Sequence, residues 1–272
     1  MMERHGVVIG DVTLYRTFKA FEALVLCSDI QRNAKMIGGK ICTLPTEFSD
    51  RKAGQMEEFI SDAHFGEELL ARRELCSFIR RAYDKQYITS ESGVFSHKLS
   101  DGSFLITPEG KDRSDIRPED LVWIKDGKRE AGKIPSSTVA FHQTVYAKES
   151  SVRCVIEARP SSVMAYAVTE KELDVRLLPE IYISLRNVRK YPLGYSSTDV
   201  EMLAEAITGK NPTAIVENDC VISTGTSLLK AFDKLEMLEY SAQTLIAASA
   251  FGEDLQGIDS EAFGELERAF NL

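Results

Sequence analysis

The sequence predicts a mixed α/β fold in which one central sheet is flanked by helices. Long segments with near-helical apolar spacing lie towards both ends of the chain. Short alternating runs broken by Asp-Gly turns fill its middle. The strands do not alternate strictly with helices, which favours one sheet over a repeated strand–helix barrel.

The first helix is expected over Val12–Met36. Asp11 or Thr13 is its cap, Leu14, Phe18, Phe21, Val25 and Ile30 form its apolar set, and Ile37-Gly38-Gly39 is its stop. A polar stretch from Thr43 to Gln55 reads as a linker. Glu67–Lys85 reads as an amphipathic helix on Leu75, Phe78, Ile79 and Ala82. Arg72-Arg73 and Arg80-Arg81 on this helix read as a solvated face. Strands follow at Val94–Leu99 and Phe104–Thr107 around Asp101-Gly102, and at Leu121–Lys125 before Asp126-Gly127. Ser137–Lys148 is expected to be helical, Arg153–Ala158 a buried strand, and Pro160 the start of a short helix. Pro179–Asn187 has strand-like composition. Thr198–Thr208 reads as a helix closed by Gly209 with Pro212 beyond it. Thr213–Glu217 and Val221–Ser223 read as strands, Ser227–Ala250 as a long helix, and Ser260–Phe270 as a docking or oligomerisation helix.

Composition narrows the function. The 272 residues carry a formal charge of −9, with 43% hydrophobic and 28% charged residues. That balance suits a globular protein and opposes binding to nucleic acid or to an anionic membrane surface, since both need clustered Lys and Arg. No apolar run has the length of a bilayer span, and the first residues lack the apolar core of a signal peptide. The five cysteines are scattered, with no C-x-x-C pair, as expected of reduced thiols in a cytoplasmic protein.

The chain also repeats itself. Laying Val7 on Val221 without gaps puts Leu14 on Leu228, Phe18 on Phe232, Glu22 on Glu236 and Leu24 on Leu238. Two unrelated amphipathic helices could share some of these matches, but the register includes the segment before the helix as well. Residues 1–40 are therefore expected to be the C-terminal piece of a second copy of the main domain, in a chain that is part of a tandem architecture or shortened at its N-terminus. Residues 41–66 would be the linker, 67–255 the main domain and 256–272 the tail.

Several motifs then fall in order. Phe104-Leu105-Ile106-Thr107-Pro108-Glu109-Gly110 is followed by Ile116-Arg117-Pro118-Glu119-Asp120-Leu121-Val122, then Pro135-Ser136-Ser137-Thr138 with His142, Val152–Pro160, and Val216-Glu217-Asn218-Asp219-Cys220-Val221. Together they resemble the class II aldolase/adducin family over about residues 67–252. The resemblance implies a three-layer αβα sandwich and a homo-oligomer with sites between subunits. It also implies a divalent metal, commonly zinc, held by three histidines, a phosphate pocket, and a glutamate that handles the proton in retro-aldol cleavage.

Carried over residue by residue, those roles meet the wrong side chains. The H-x-H-P histidines fall on Glu157 and Arg159, the third histidine on Asp219, and the glutamate on Thr138. Val94 replaces the phosphate-loop asparagine, and Glu109 brings negative charge beside any phosphate. Gly110, Ser136 and Ser137 remain as the family's substrate-binding positions. Arg159 has no lone pair for a metal, and it is expected to form an ion-pair triad with Glu157 and Asp219 in the vacated place. Ser136 and Ser137 serve either as helix caps or as a residual anion site. His142 serves either as a hydrogen-bonded helix histidine or as a base. His5, in Arg4-His5-Gly6-Val7, keeps the family's H-G-V in the partial copy.

The expectation is a module without metal cofactor or lyase activity that acts in a structural, regulatory or assembly role. Zinc or another divalent ion enters only under the alternative, an active aldolase or epimerase on a small sugar phosphate that uses Glu157, Asp219 and His5. Between them stands a binder of a small anionic metabolite at Ser136, Ser137 and Arg159.

Overall fold

A computed structural model describes residues 2–44, 54–61, 64–194, 199–252 and 257–270. Its helices are α1 (Leu14–Met36), α2 (Gly66–Asp84), α3 (Val139–Lys148), α4 (Ser161–Ala167), α5 (Pro179–Leu185), α6 (Val200–Ala206), α7 (Leu228–Ser249) and α8 (Ser260–Phe270). The strands are β1 (Glu58–Phe59), β2 (Val94–Lys98), β3 (Phe104–Ile106), β4 (Val122–Lys125), β5 (Lys128–Glu130), β6 (Cys154–Ala158), β7 (Arg189–Tyr191), β8 (Thr213–Val216) and β9 (Cys220–Gly225). All nine strands form one sheet in the order β1-β5-β4-β3-β2-β6-β9-β8-β7. Its centre is antiparallel, and the outermost pairs, β1 with β5 and β7 with β8, are parallel.

Alternation along the strands divides the core in two. Phe95, Leu105, Trp123, Ile156 and Val221 face the layer that contains α2, α4 and α7. Ile106, Val122, Ile124, Val155 and Ile222 face the layer of α3 and α6. This is the expected αβα sandwich. The hairpin at Asp126-Gly127 also forms, with both residues at positive φ, as a two-residue turn between twisted strands requires.

Some expected elements change. Pro179–Asn187 is not a strand: Pro179–Leu185 is helix α5, with the proline at its first turn and Tyr182 and Leu185 buried one turn apart. The helix expected over Thr198–Thr208 covers Val200–Ala206, and its C-cap is Ile207 rather than Gly209; Thr198 lies outside the described residues. Residues 45–53 and 62–63 of the expected linker also lie outside them, as does the boundary at 255. Glu58–Phe59, assigned to the linker, instead adds an edge strand to the sheet.

Arg72 is buried, not solvated. It pairs with Glu68 and Glu130 and donates to the carbonyls of Pro118 and Leu121. A guanidinium can be buried on these terms because nearly every donor is used. The tail helix α8 docks on α5 through Phe263 against Tyr182. No helix among the described residues is long and apolar enough to cross a membrane.

Candidate functional site

One end of the sheet gathers five segments: the loop entering β2, the loop after β3, the turn into α3, the end of β6 and the β8–β9 turn. Antiparallel pairing of Val94 with Glu157 brings the first and fourth of these together. Between them lies a cleft of about 530 Å³. Its lining includes Gly110, Ser136, Ser137, Thr138, Glu157, Arg159 and Asp219, whereas His142, also singled out from the sequence, lies buried behind Glu157. His5 is not there; it is exposed in a turn closed by the Met2–Gly6 bridge.

Two polar clusters occupy the inner wall. Arg159 donates through Nε to the Asp219 carbonyl at 2.6 Å and through a terminal nitrogen to Asp219 Oδ1 at 3.1 Å. Glu157 turns away from it. Its Oε1 lies 2.8 Å from His142 Nε2, and its Oε2 accepts from the Cys220 thiol at 3.8 Å. His142 Nδ1 is 2.6 Å from Ser96 Oγ, which in turn lies 2.5 Å from the Tyr146 hydroxyl. The expected triad therefore does not form. The fully buried imidazole on α3 offers Glu157 a shorter-range partner, which leaves Arg159 and Asp219 as a pair. His142 is the hydrogen-bonded helix histidine of the plainer reading, but its partner in the cleft was not foreseen, and no sequence spacing announces it.

The turn into α3 is held by backbone contacts. Ser136 Oγ donates to the Thr107 carbonyl at 2.9 Å and sits 3.1 Å from Thr107 Oγ1. Neither Ser136 nor Ser137 caps the helix, since the N-cap position falls to Thr138 and its side chain makes no capping bond. Thr138 Oγ1 is buried with no hydrogen-bond partner among the described residues. Gly110, at φ +69°, makes the turn beneath it.

Sequence reasoning missed Arg113. It is 3% exposed and donates to the carbonyls of Gly93, Lys111 and Pro108 at 3.2, 2.8 and 2.9 Å. Burial pulls its pKa down to about 10, so it stays charged at neutral pH. It thus sets a fixed positive charge in the wall of a cleft that the exposed Glu109 also lines. The only signal was an arginine three residues after Gly110, in a charged run that resembles an ordinary loop.

A zinc ion does not fit this donor set. Of the three family positions, one holds a guanidinium, one holds a carboxylate committed to that guanidinium, and one holds a carboxylate committed to His142. No group of three His, Cys, Asp or Glu among the described residues is arranged to hold a metal.

The sequence profile of the Class II Aldolase and Adducin N-terminal domain matches residues 73–246. The chain belongs to this family. Curated relatives include an L-fuculose phosphate aldolase of Methanocaldococcus jannaschii, 25% identical over 173 residues that cover 63% of this chain and 93% of the relative. A 3-oxo-tetronate 4-phosphate decarboxylase of Haemophilus influenzae is 27% identical over 184 residues, 64% of this chain and 86% of the relative. Among solved aldolase-family structures, Escherichia coli YgbL superposes with a TM-score of 0.66 at 22% identity, covering 73% of this chain and 98% of its own. The L-fuculose-1-phosphate aldolase of Thermus thermophilus gives 0.58 at 22%, covering 68% and 100%. These likenesses establish the fold; the cleft chemistry is this chain's own.

Proposed function

We propose that this class II aldolase-type module has lost metal-dependent lyase chemistry. It keeps a small-anion cleft and serves as the structural or regulatory part of an oligomeric, sugar-phosphate aldolase-like assembly. One observation carries the reading: the Arg159–Asp219 ion pair stands where relatives would place two metal ligands. A permanent cation supplied by the chain repels a divalent ion and offers it no lone pair. Thr138 at the glutamate position has no carboxylate to move a proton.

The anion-binding part of the reading rests on the α3 entrance. Ser136, Ser137 and the Thr138 hydroxyl, unpartnered among the described residues, precede a ten-residue helix whose positive N-terminal end favours a negative group. Arg113 and Arg159 supply positive charge in the cleft, against the carboxylate of Glu109 that also lines it. Thermal unfolding in inorganic phosphate and in dihydroxyacetone phosphate tests this. Ligand at 100 times its Kd should add about 2.7 kcal/mol of stability, and no shift at millimolar ligand contradicts the binding.

A second reading is an active lyase or decarboxylase, favoured by the activities named for the M. jannaschii and H. influenzae relatives. In that case Glu157, held by His142, is the candidate acid–base. Turnover assays with L-fuculose phosphate and 3-oxo-tetronate 4-phosphate, with and without zinc, separate the two readings. The silent module gives no turnover in any arm.

A further inference from the structure

The internal repeat becomes physical when the two long helices are compared. Helices α1 and α7 start at equivalent positions of the repeat and are each capped by a hydroxyl. Thr13 Oγ1 accepts from the Arg16 amide at 3.2 Å, and Ser227 Oγ accepts from the Lys230 amide at 3.3 Å. Their environments are reversed. Leu228, Phe232 and Leu235 are fully buried on the core face of α7, whereas their counterparts Leu14, Phe18 and Phe21 are 85%, 44% and 47% exposed. The adjoining flank of α1 holds it to the rest of the molecule, and Phe18, Phe21 and Val25 border a cavity of about 430 Å³ shared with Tyr83 and Ile88. Glu22 accepts from the Tyr83 hydroxyl at 3.0 Å and from the Ser90 amide at 3.1 Å, and Asn33 and Ala34 are buried.

The preceding segments differ in the same way. β9 is bonded on both sides, by β6 and β8, and Val221 and Ile222 are inaccessible. Their counterparts Val7 and Val8 belong to no ladder among the described residues and are 38% and 73% exposed. An apolar segment outside any ladder, followed by an exposed core-type helix face, has the order of a fold's last strand and helix without the sheet they complete.

We propose that residues 6–32 close a second αβα body. Its sheet would present two strands in the manner of β6 and β8, with a gap between them, on polypeptide outside residues 2–270. Strand addition would satisfy the backbone of Val7–Asp11, and the Leu14–Phe18–Phe21 face would cover that sheet as α7 covers its own. This names the partner in the assembly proposed above. It rests on helix faces alone, so it can fail while the silent cleft stands, and the reverse also holds.

The experiment replaces Phe21 with p-benzoylphenylalanine in the full chain, expressed in the cells that encode it. Photo-crosslinking is followed by mass-spectrometric identification of the joined peptides. The proposal expects crosslinks to sheet peptides of a class II aldolase-type body that are not part of residues 2–270. The pair Leu14→Asp and Phe18→Asp should abolish them while leaving the melting temperature of the purified chain unchanged, because both side chains are exposed. Cys27, exposed here but equivalent to the buried Ser241, should alkylate about tenfold or more slower in the assembly than in the purified chain. Crosslinks to residues 2–270 of another copy overturn the proposal. So does the absence of crosslinks together with unchanged Cys27 reactivity.

Discussion

At the scale of single residues, the cleft turns on which partner each charged group has taken. Glu157 is 5% exposed and depends on His142. His142→Phe therefore takes the main partner from a buried carboxylate, leaving it only the weak Cys220 thiol donor, and should cost roughly 3 kcal/mol in urea unfolding. Ser96→Ala should cost about 2 kcal/mol by the same measurement, since it takes a partner from both His142 Nδ1 and the buried Tyr146 hydroxyl. Away from the cleft, burial raises the Glu130 pKa, but hydrogen bonds from Lys133 and Arg72 outweigh it and hold the group below the usual glutamate range. A depressed carboxylate contributes stability above its unfolded pKa and loses it as pH falls through the folded value. Glu130→Gln should accordingly flatten the acid limb of a stability–pH curve, while the wild-type chain loses stability on acidification. The positions of Glu157, Arg159 and Asp219 were legible as motif positions in the sequence. Their pairing was not, because Arg159 faced two carboxylates of equal charge and only the fold set His142 against one of them.

At the scale of elements, the sheet depends on tight backbone packing at the end remote from the cleft, where Gly225 pairs with Cys154. At Gly225, where β9 passes into α7, an added Cβ would lie 2.6 Å from the Ala231 amide nitrogen and 2.8 Å from the Ser227 carbonyl oxygen. Neither backbone group can swing aside, so Gly225→Ala should destabilise the chain by about 2 kcal/mol, read as a lowered unfolding midpoint. Elements marked by strong local signals were readable: α1, α2 and α7 by apolar periodicity, and β4 with the turn after it by Asp-Gly. Those decided by tertiary contact were not. Helix α5 carries Ile181, Tyr182, Ile183 and Leu185, a β-rich composition that becomes helical because Tyr182 and Leu185 must face the same core. Edge strand β1 has two residues and exists only because β5 pairs with it.

At the scale of the whole molecule, a nine-stranded αβα body carries an extra strand-like segment and helix on its outside, and an aldolase-type cleft carries its own cation. Both features follow from one comparison, between residues that kept their family environment and residues that did not. The cleft is the sharper case, because zinc and Arg159 cannot share it. The quadruple variant Thr138→Glu, Glu157→His, Arg159→His, Asp219→His should gain zinc affinity relative to the wild-type chain by isothermal titration, since it restores three imidazoles and a carboxylate. The most direct measurement is zinc content by elemental mass spectrometry, on wild-type protein purified without chelator and then equilibrated with zinc and desalted. The loss of the metal site predicts far less than one zinc per chain. One tightly held zinc per chain, released by chelator and bound through Glu157 and Asp219 with Arg159 displaced, would contradict it.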